Sequence, residues 1–252
     1  VTSTVPAHAR PVVEVAFVLD TTGSMASLIE GAKRKIWSIA TTIIDENPGA
    51  EIRMGLVAYR DIGDEYVTRR VDLTTDIQDL YARLLELRAR GGGDWPESVN
   101  EALHEGITKL AWTQGPEVSR IVFLVGDAPP HMDYAQDVKY PEVLRIARER
   151  NIIVNGVQAG DARDTMRVWR EIAQMGNGQY IPIPQDGGKV VFMNPAAQRL
   201  FGAATPEQLL GREAIDLIPE EFHAQMAQGI FGDLAAAQQQ PRCALRVARV
   251  DG

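Results

Sequence analysis

The chain has 252 residues, which allows one large domain or one large domain and one small one. Hydrophobic residues make up 45% and charged residues 24%, the composition of an ordinary globular protein, and 26 basic against 34 acidic residues leave a net charge of −8. That balance argues against a nucleic-acid partner, which needs a basic footprint; the single cysteine, Cys243, excludes an internal disulfide; and no apolar run approaches the roughly 18–20 residues of a membrane span.

At the start, Ala7-His8-Ala9 before Arg10 has the form of an A-x-A cleavage site. Residues 1–11 are then either the end of a signal peptide or a disordered leader. The first reading places the protein in the periplasm or outside the cell.

From Val12 the pattern alternates between apolar strands and amphipathic helices. Val12 to Leu19 is nearly continuous and β-branched, as expected of a strand covered on both faces, and it stops at Asp20. Leu28, Ile29, Ala32, Ile36, Ile39, Ala40 and Ile43 then recur at helical spacing until Asn47-Pro48-Gly49. Ile52 to Tyr59 is a second strand, and Tyr66 to Leu73 is a more polar one suited to a sheet edge. A helix follows, with Leu80, Leu84 and Leu87 on one side and Thr75 or Asp76 as its N-cap. The loop Gly91-Gly92-Gly93-Asp94-Trp95-Pro96-Glu97 leads to a helix from about Ser98 to Ala111. Ile121 to Val125 is another buried strand, ending at Gly126-Asp127. After it come a proline-rich loop, a helix over Glu142 to Arg150, a strand over Ile152 to Val157, a helix over Arg163 to Gln174 and a short strand over Tyr180 to Pro184. Strands alternating with helices of this length predict an α/β fold: a Rossmann-like, doubly wound, mostly parallel sheet over about residues 12–186.

In such a sheet, ligands bind beyond the carboxyl ends of the strands. Two of the buried strands end there in aspartate, at Asp20 and Asp127. Asp20, Thr22 and Ser24 alternate along a turn, which can aim three oxygens at one point. Carboxylates and hydroxyls are hard ligands suited to Mg²⁺, Mn²⁺ or Ca²⁺, and Asp94 in the glycine-rich loop is a further candidate. Plain N-capping of the next helix would also select a turn of this composition.

These motifs resemble those of a known family. Asp20-Thr21-Thr22-Gly23-Ser24-Met25 is similar to the Asp-x-Ser/Thr-x-Ser signature of the metal-ion-dependent adhesion site in von Willebrand factor type A domains. Val57-Ala58-Tyr59-Arg60-Asp61, Gly92 to Glu97 and Gly126 to His131 resemble blocks of a subgroup that includes bacterial exported proteins and α-kinase-linked domains. The resemblance implies a metal set of Asp20, Thr22, Ser24 and Asp127, with Asp94 standing where the family usually has threonine. It implies a non-enzymatic module that binds a protein partner through a metal-bridged acidic residue, with Mg²⁺, Mn²⁺ or Ca²⁺ as cofactor. His131 reads as a loop-stabilising residue or a rim contact. Asp61, Asp64 and Glu65 read as a solvated turn or a second cation site, with Tyr59 and Arg60 packed against it. Trp95 is a candidate binding-surface residue.

The tail differs in kind. Gly188 to Ala197, Phe201-Gly202 and Leu209 to Arg212 resemble the first half of a PAS sensory domain, an α+β segment over residues 187–252 that lacks its central strands. Met226 falls where haem-binding members have histidine and His223 is out of register, so no haem is expected. If this segment is a working sensor, the chain is a cytoplasmic signalling protein that recruits a partner through its first domain. The remaining alternative is a metal-dependent hydrolase, although the Asp20-Thr21-Thr22 turn lacks the second acid that chemistry favours.

Overall fold

The computed structural model describes residues 10–183 other than Pro116, together with Thr205. The leader and the PAS-like segment, including His223, Met226 and Cys243, otherwise lie outside the described residues.

Six strands form one sheet, β1 (Val12–Asp20), β2 (Glu51–Tyr59), β3 (Thr68–Thr74), β4 (Val118–Gly126), β5 (Ile152–Ala159) and β6 (Asn177–Ile183), in the order β3-β2-β1-β4-β5-β6. All neighbours pair in parallel except β2 and β3, which are antiparallel. The edge position of β3 follows from its sequence, because Arg69, Arg70 and Asp72 are exposed.

Five helices cover the sheet: α1 (Ile29–Glu46), α2 (Ile77–Glu86), α3 (Val99–Thr108), α4 (Tyr140–Glu149) and α5 (Arg163–Met175). The period-two geometry of a strand divides β1 between two cores. Val13, Val15, Phe17 and Leu19 meet Ile36 and Ile39 of α1 and Leu80 and Leu84 of α2. Ala16 and Val18 join Leu103 and Ile107 of α3, Leu144 of α4 and Trp169 of α5 on the other face. Each fully buried leucine or isoleucine contributes about 1.5–3 kcal/mol relative to exposure. Phe17 and Phe123 stack across β1 and β4 with ring centroids 5.6 Å apart.

The expected N-cap of α2 is observed: Asp76 Oδ1 accepts from the Asp79 amide at 3.0 Å, an interaction worth about 1 kcal/mol. Several boundaries differ from expectation by two or three residues, as where α3 ends at Thr108 rather than Ala111 and β4 begins at Val118 rather than Ile121. A 3-10 helix (Gly23–Ser27) takes in the end of the first motif and precedes α1, so the turn does not feed directly into a regular α-helix. The last strand begins at Asn177, with φ at 55°, rather than at Tyr180, because its first residues already pair with Val154.

The chain runs outward from β1 to β2 and β3, then returns through α2 and α3 to place β4 on the other side of β1. The direction of winding therefore reverses between β1 and β4. That is the switch point where a doubly wound sheet opens a crevice at the carboxyl ends of its strands. Asp20 ends β1, and Asp127 follows the last residue of β4.

Candidate metal centre

The first motif folds onto its own aspartate. Asp20 is fully buried, and its Oδ1 accepts from the Thr22 amide at 2.9 Å and the Thr22 hydroxyl at 2.7 Å. Thr22 Oγ1 lies 3.2 Å from Ser24 Oγ, which donates to Asp127 Oδ1 at 2.9 Å. Alternate residues thus face the crevice as a continuous polar chain from Asp20 to Asp127. The intervening residues face away: Thr21 bonds the Tyr59 carbonyl and the Tyr66 hydroxyl, both at 2.8 Å, and the Gly23 amide donates to Gly91 O.

Plain capping would spend these hydroxyls on helix amides. Neither Thr22, at the start of the 3-10 helix, nor Leu28, before α1, makes a side-chain cap bond. The Thr22 and Ser24 oxygens are committed to carboxylates instead. Asp127 is held from behind, since Thr165 Oγ1 of α5 donates to its backbone carbonyl at 2.7 Å.

The charge at this point is uncompensated. Asp20 Oδ2 is buried and makes no hydrogen bond of good geometry among the described residues; its polar neighbour is the Tyr59 hydroxyl, which lowers its pKa only weakly. Burial, and then the nearby charge of Asp127, raise the Asp20 carboxyl from its usual 3.8 to about 7 despite the Thr22 hydrogen bonds. Burial also raises Asp127, against a lowering by the Ser24 hydrogen bond.

Tyr59 and Glu97 complete this environment. Tyr59 is fully buried rather than packed on a surface turn, and its hydroxyl faces the Asp20 carboxylate without a hydrogen bond of good geometry among the described residues. Gly126 makes room for it: a Cβ there would stand 2.5 Å from Tyr59 Oη and 3.1 Å from Asp20 Oδ2. Glu97 is 2% exposed, with Oε2 unpartnered, and its carboxyl is raised to about 9 by burial and then by the charges of Asp20 and Asp61. The sequence contained both residues inside family-like blocks. An acid immediately after a Gly-rich turn and Pro96 was the available signal for Glu97.

The glycine-rich loop closes over the motif. Gly92 has φ at +78°, and a Cβ there would meet Glu97 Oε1 at 3.1 Å and Thr22 Cβ at 3.5 Å, so only glycine fits without strain. Asp64 accepts the Gly92 amide at 2.9 Å and the Asp61 amide at 3.2 Å, which makes it a loop brace. Glu65 is exposed and pairs with Arg60 and Arg69, each at 3.3 Å. Arg60 also donates to Thr21 O and sits over the Tyr66 ring. Asp61, Asp64 and Glu65 therefore separate into three environments, and Asp61 is buried rather than solvated.

Asp94, expected beside Asp20 and Asp127, has a different neighbour. Its exposed carboxylate places Oδ1 3.5 Å from His131 Nε2. His131 is 4% exposed, bonds Asp133 Oδ1 through Nδ1 at 2.8 Å and stacks on Tyr134. Burial opposes protonation of His131, but the Asp133 hydrogen bond and the charges of Asp61 and Asp94 outweigh it and raise its pKa. Trp95 is 41% exposed and donates through Nε1 to Asp164 Oδ2 at 2.6 Å. A cleft of about 380 Å³ lies apart from this cluster, between β3 and the segment after α2, lined by Arg60, Arg69, Arg70, Arg83, Arg88 and Arg90 among others.

No helix among the described residues is long and apolar enough to cross a membrane.

Comparison with known proteins agrees with this architecture. The von Willebrand factor A domain-containing protein 7 of Rattus norvegicus is 29% identical over 219 residues, covering 84% of this chain and 22% of the relative. Alpha-protein kinase vwkA of Dictyostelium discoideum is 28% identical over 127 residues, covering 49% of this chain and 20% of the relative. The chain thus spans about a fifth of the length of these curated relatives. Among solved structures, the SpRpn10 VWA domain superposes with a TM-score of 0.52 at 14% identity, covering 70% of this chain and 89% of that one, a likeness of fold alone. A PAS fold model matches residues 185–242. The von Willebrand factor A domain model matches residues 14–194, and the chain belongs to that family.

Proposed function

We propose that Asp20, Thr22, Ser24 and Asp127 hold a divalent cation, Mg²⁺ first and Mn²⁺ or Ca²⁺ in its place, through which the domain engages a carboxylate on a protein partner. One observation carries the reading: the buried Asp20 Oδ2 makes no hydrogen bond of good geometry among the described residues and has the neutral Tyr59 hydroxyl, not a cation, beside it, although its carboxyl shares a crevice with Asp127. Two acids buried without a compensating charge are costly, and a cation held between them removes that cost. The four side chains offer carboxylate and hydroxyl oxygens, the hard donor set for such ions. The cation would supply the attraction for a partner's acid, while Thr22 and Ser24 keep the two aspartates aligned. Glu97, raised to about 9, is protonated at neutral pH without a cation; a bound cation would favour its ionisation and so gain a further acid on the loop side. Asp94 joins this set only by turning away from His131. Domains of this family commonly act as protein-interaction modules, which supports binding without turnover.

The test is binding of an immobilised acidic peptide by the full chain with Mg²⁺ and with chelator. Retention that chelator and Asp127→Ala both abolish agrees with the reading; retention insensitive to both contradicts it. A second reading, in which a PAS-like segment is coupled to partner recruitment, is favoured by the PAS fold match over residues 185–242. It predicts that deleting those residues changes peptide affinity without changing cation affinity.

A further inference from the structure

We propose that Asp61, Asp94 and His131 form a second divalent-cation site, suited to a transition ion such as Zn²⁺ rather than to Mg²⁺. One ligand atom from each of the three lies within 4.8 Å of the others. The histidine supplies the independent observation. It is 4% exposed, and its Nε2 has no hydrogen-bond partner among the described residues although it points between two carboxylates. Nε2 lies 3.6 Å from Asp61 Oδ2 and 3.5 Å from Asp94 Oδ1.

Those separations decide between two arrangements. A charged imidazolium donating to carboxylate closes to about 2.7–2.9 Å. Ligands at about 2.1 Å around a tetrahedral ion stand roughly 3.4 Å from one another. The two spacings from Nε2 are too long for the first and match the second, with the two carboxylate oxygens within 4.8 Å of each other.

The surroundings orient the donors as metal sites require. His131 Nδ1 is engaged with Asp133 Oδ1 at 2.8 Å; donation through Nδ1 leaves the Nε2 lone pair facing the carboxylates. Tyr134 stacks on the imidazole at 3.9 Å and 10°, and its hydroxyl donates to Asp61 Oδ2 at 2.8 Å. Ser98 Oγ donates to Asp61 Oδ1 at 2.7 Å. The His131 amide donates to Glu97 O at 3.0 Å, and Asn100 Nδ2 donates to the His131 carbonyl. Asp61 and His131 are thus fixed, while Asp94, 59% exposed at its side chain, stands on the solvent side where a fourth ligand would enter. One imidazole with two carboxylates favours zinc-like ions, unlike the all-oxygen set at Asp20 and Asp127.

The experiment is a Co²⁺ titration of the full chain in saturating Mg²⁺, read by visible absorption. The expected result is one equivalent of Co²⁺ with a tetrahedral-type band. His131→Gln and the exposed-site variant Asp94→Asn each weaken binding at least tenfold, while Asp127→Ala leaves the band in place. Circular dichroism of His131→Gln checks folding, and Asp94→Asn decides the matter if that variant unfolds. Absence of the band, or a band unchanged in Asp94→Asn, overturns the proposal. A band lost in Asp127→Ala but kept in His131→Gln assigns Co²⁺ to the first site and also overturns it. Failure of the Asp20–Asp127 reading shows separately, as loss of any Mg²⁺-dependent thermal shift.

Discussion

Ser24 Oγ donates to Asp127 Oδ1 at 2.9 Å, joining side chains 103 positions apart in the chain. The bond ties the turn after β1 to the end of β4 across the point where the sheet's winding reverses. A hydroxyl between two acids can serve the apo protein as a hydrogen-bond bridge and the loaded protein as a ligand.

Cation binding should therefore register as stability. Mg²⁺ or Mn²⁺ at about 100 times its dissociation constant adds about 2.7 kcal/mol, a rise of roughly 5–10 °C in melting temperature for a domain of this size. Asp127→Ala should abolish the rise. Scanning fluorimetry with and without ion makes the comparison; an equal rise in the variant contradicts it.

The acids set a pH dependence whose sign is fixed by the direction of their shifts. Asp20 ionises near 3.8 when unexcluded from water and near 7 in the fold, so the folded state holds the extra proton between those values. Its stabilising contribution is complete below about pH 4 and is lost as pH rises through 7; Glu97, at about 9, continues the loss. In chelator, urea unfolding should show stability falling from about pH 5 to about pH 8, by about 2.5 kcal/mol from Asp20. Asp20→Asn should flatten the slope, and Mg²⁺ should restore more stability at the higher pH. A rise in apo stability over this range contradicts the assignment.

Gly126→Ala places a methyl 2.5 Å from Tyr59 Oη inside a closed core. Overpacking of this kind costs about 1–3 kcal/mol and should push Asp20 away from Asp127. Because the clash is with the hydroxyl, Tyr59→Phe in the same chain should recover part of the loss, a coupling of at least about 0.5 kcal/mol in a double-mutant cycle. Simple additivity of the two changes would show that the close approach is not the cause.

Trp95→Ala should separate partner binding from cation binding. The indole is 41% exposed and tethered by one hydrogen bond to Asp164, an exposed acid in the first turn of α5. Its removal should cost under about 1 kcal/mol of stability and leave the Mn²⁺ affinity unchanged, while weakening acidic-peptide binding severalfold. Calorimetry against both ligands tests this; parallel loss of the two affinities contradicts it.

Much of the fold was legible because its signals are local. The nearly continuous apolar run of β1, interrupted by Glu14, announced a doubly covered strand, and the polar run around Arg69 and Asp72 announced the edge. The cap of α2 was narrowed by composition to Thr75 or Asp76, and the hydrogen bond from the Asp79 amide decides for Asp76. The 3-10 helix at Gly23–Ser27 was not, since its residues suit a helix start equally well and only the hydrogen bonds of Thr22 and Ser24 tell the two apart. Within the site, alternation at Asp20, Thr22 and Ser24 indicated a shared direction. The roles of Tyr59 and Glu97 depend on contacts across β2, β4 and the glycine loop, which spacing does not encode. Asp94 and His131, 37 positions apart, meet only because residues 97 and 130 bridge their loops.

The most direct test of the central claim is Mn²⁺ anomalous diffraction from crystals of the chain, with Asp127→Ala as control. The expected result is an anomalous peak between Asp20 and Asp127 that also contacts Thr22 or Ser24 and vanishes in the variant. No peak there at saturating Mn²⁺, or one that survives Asp127→Ala, would contradict it.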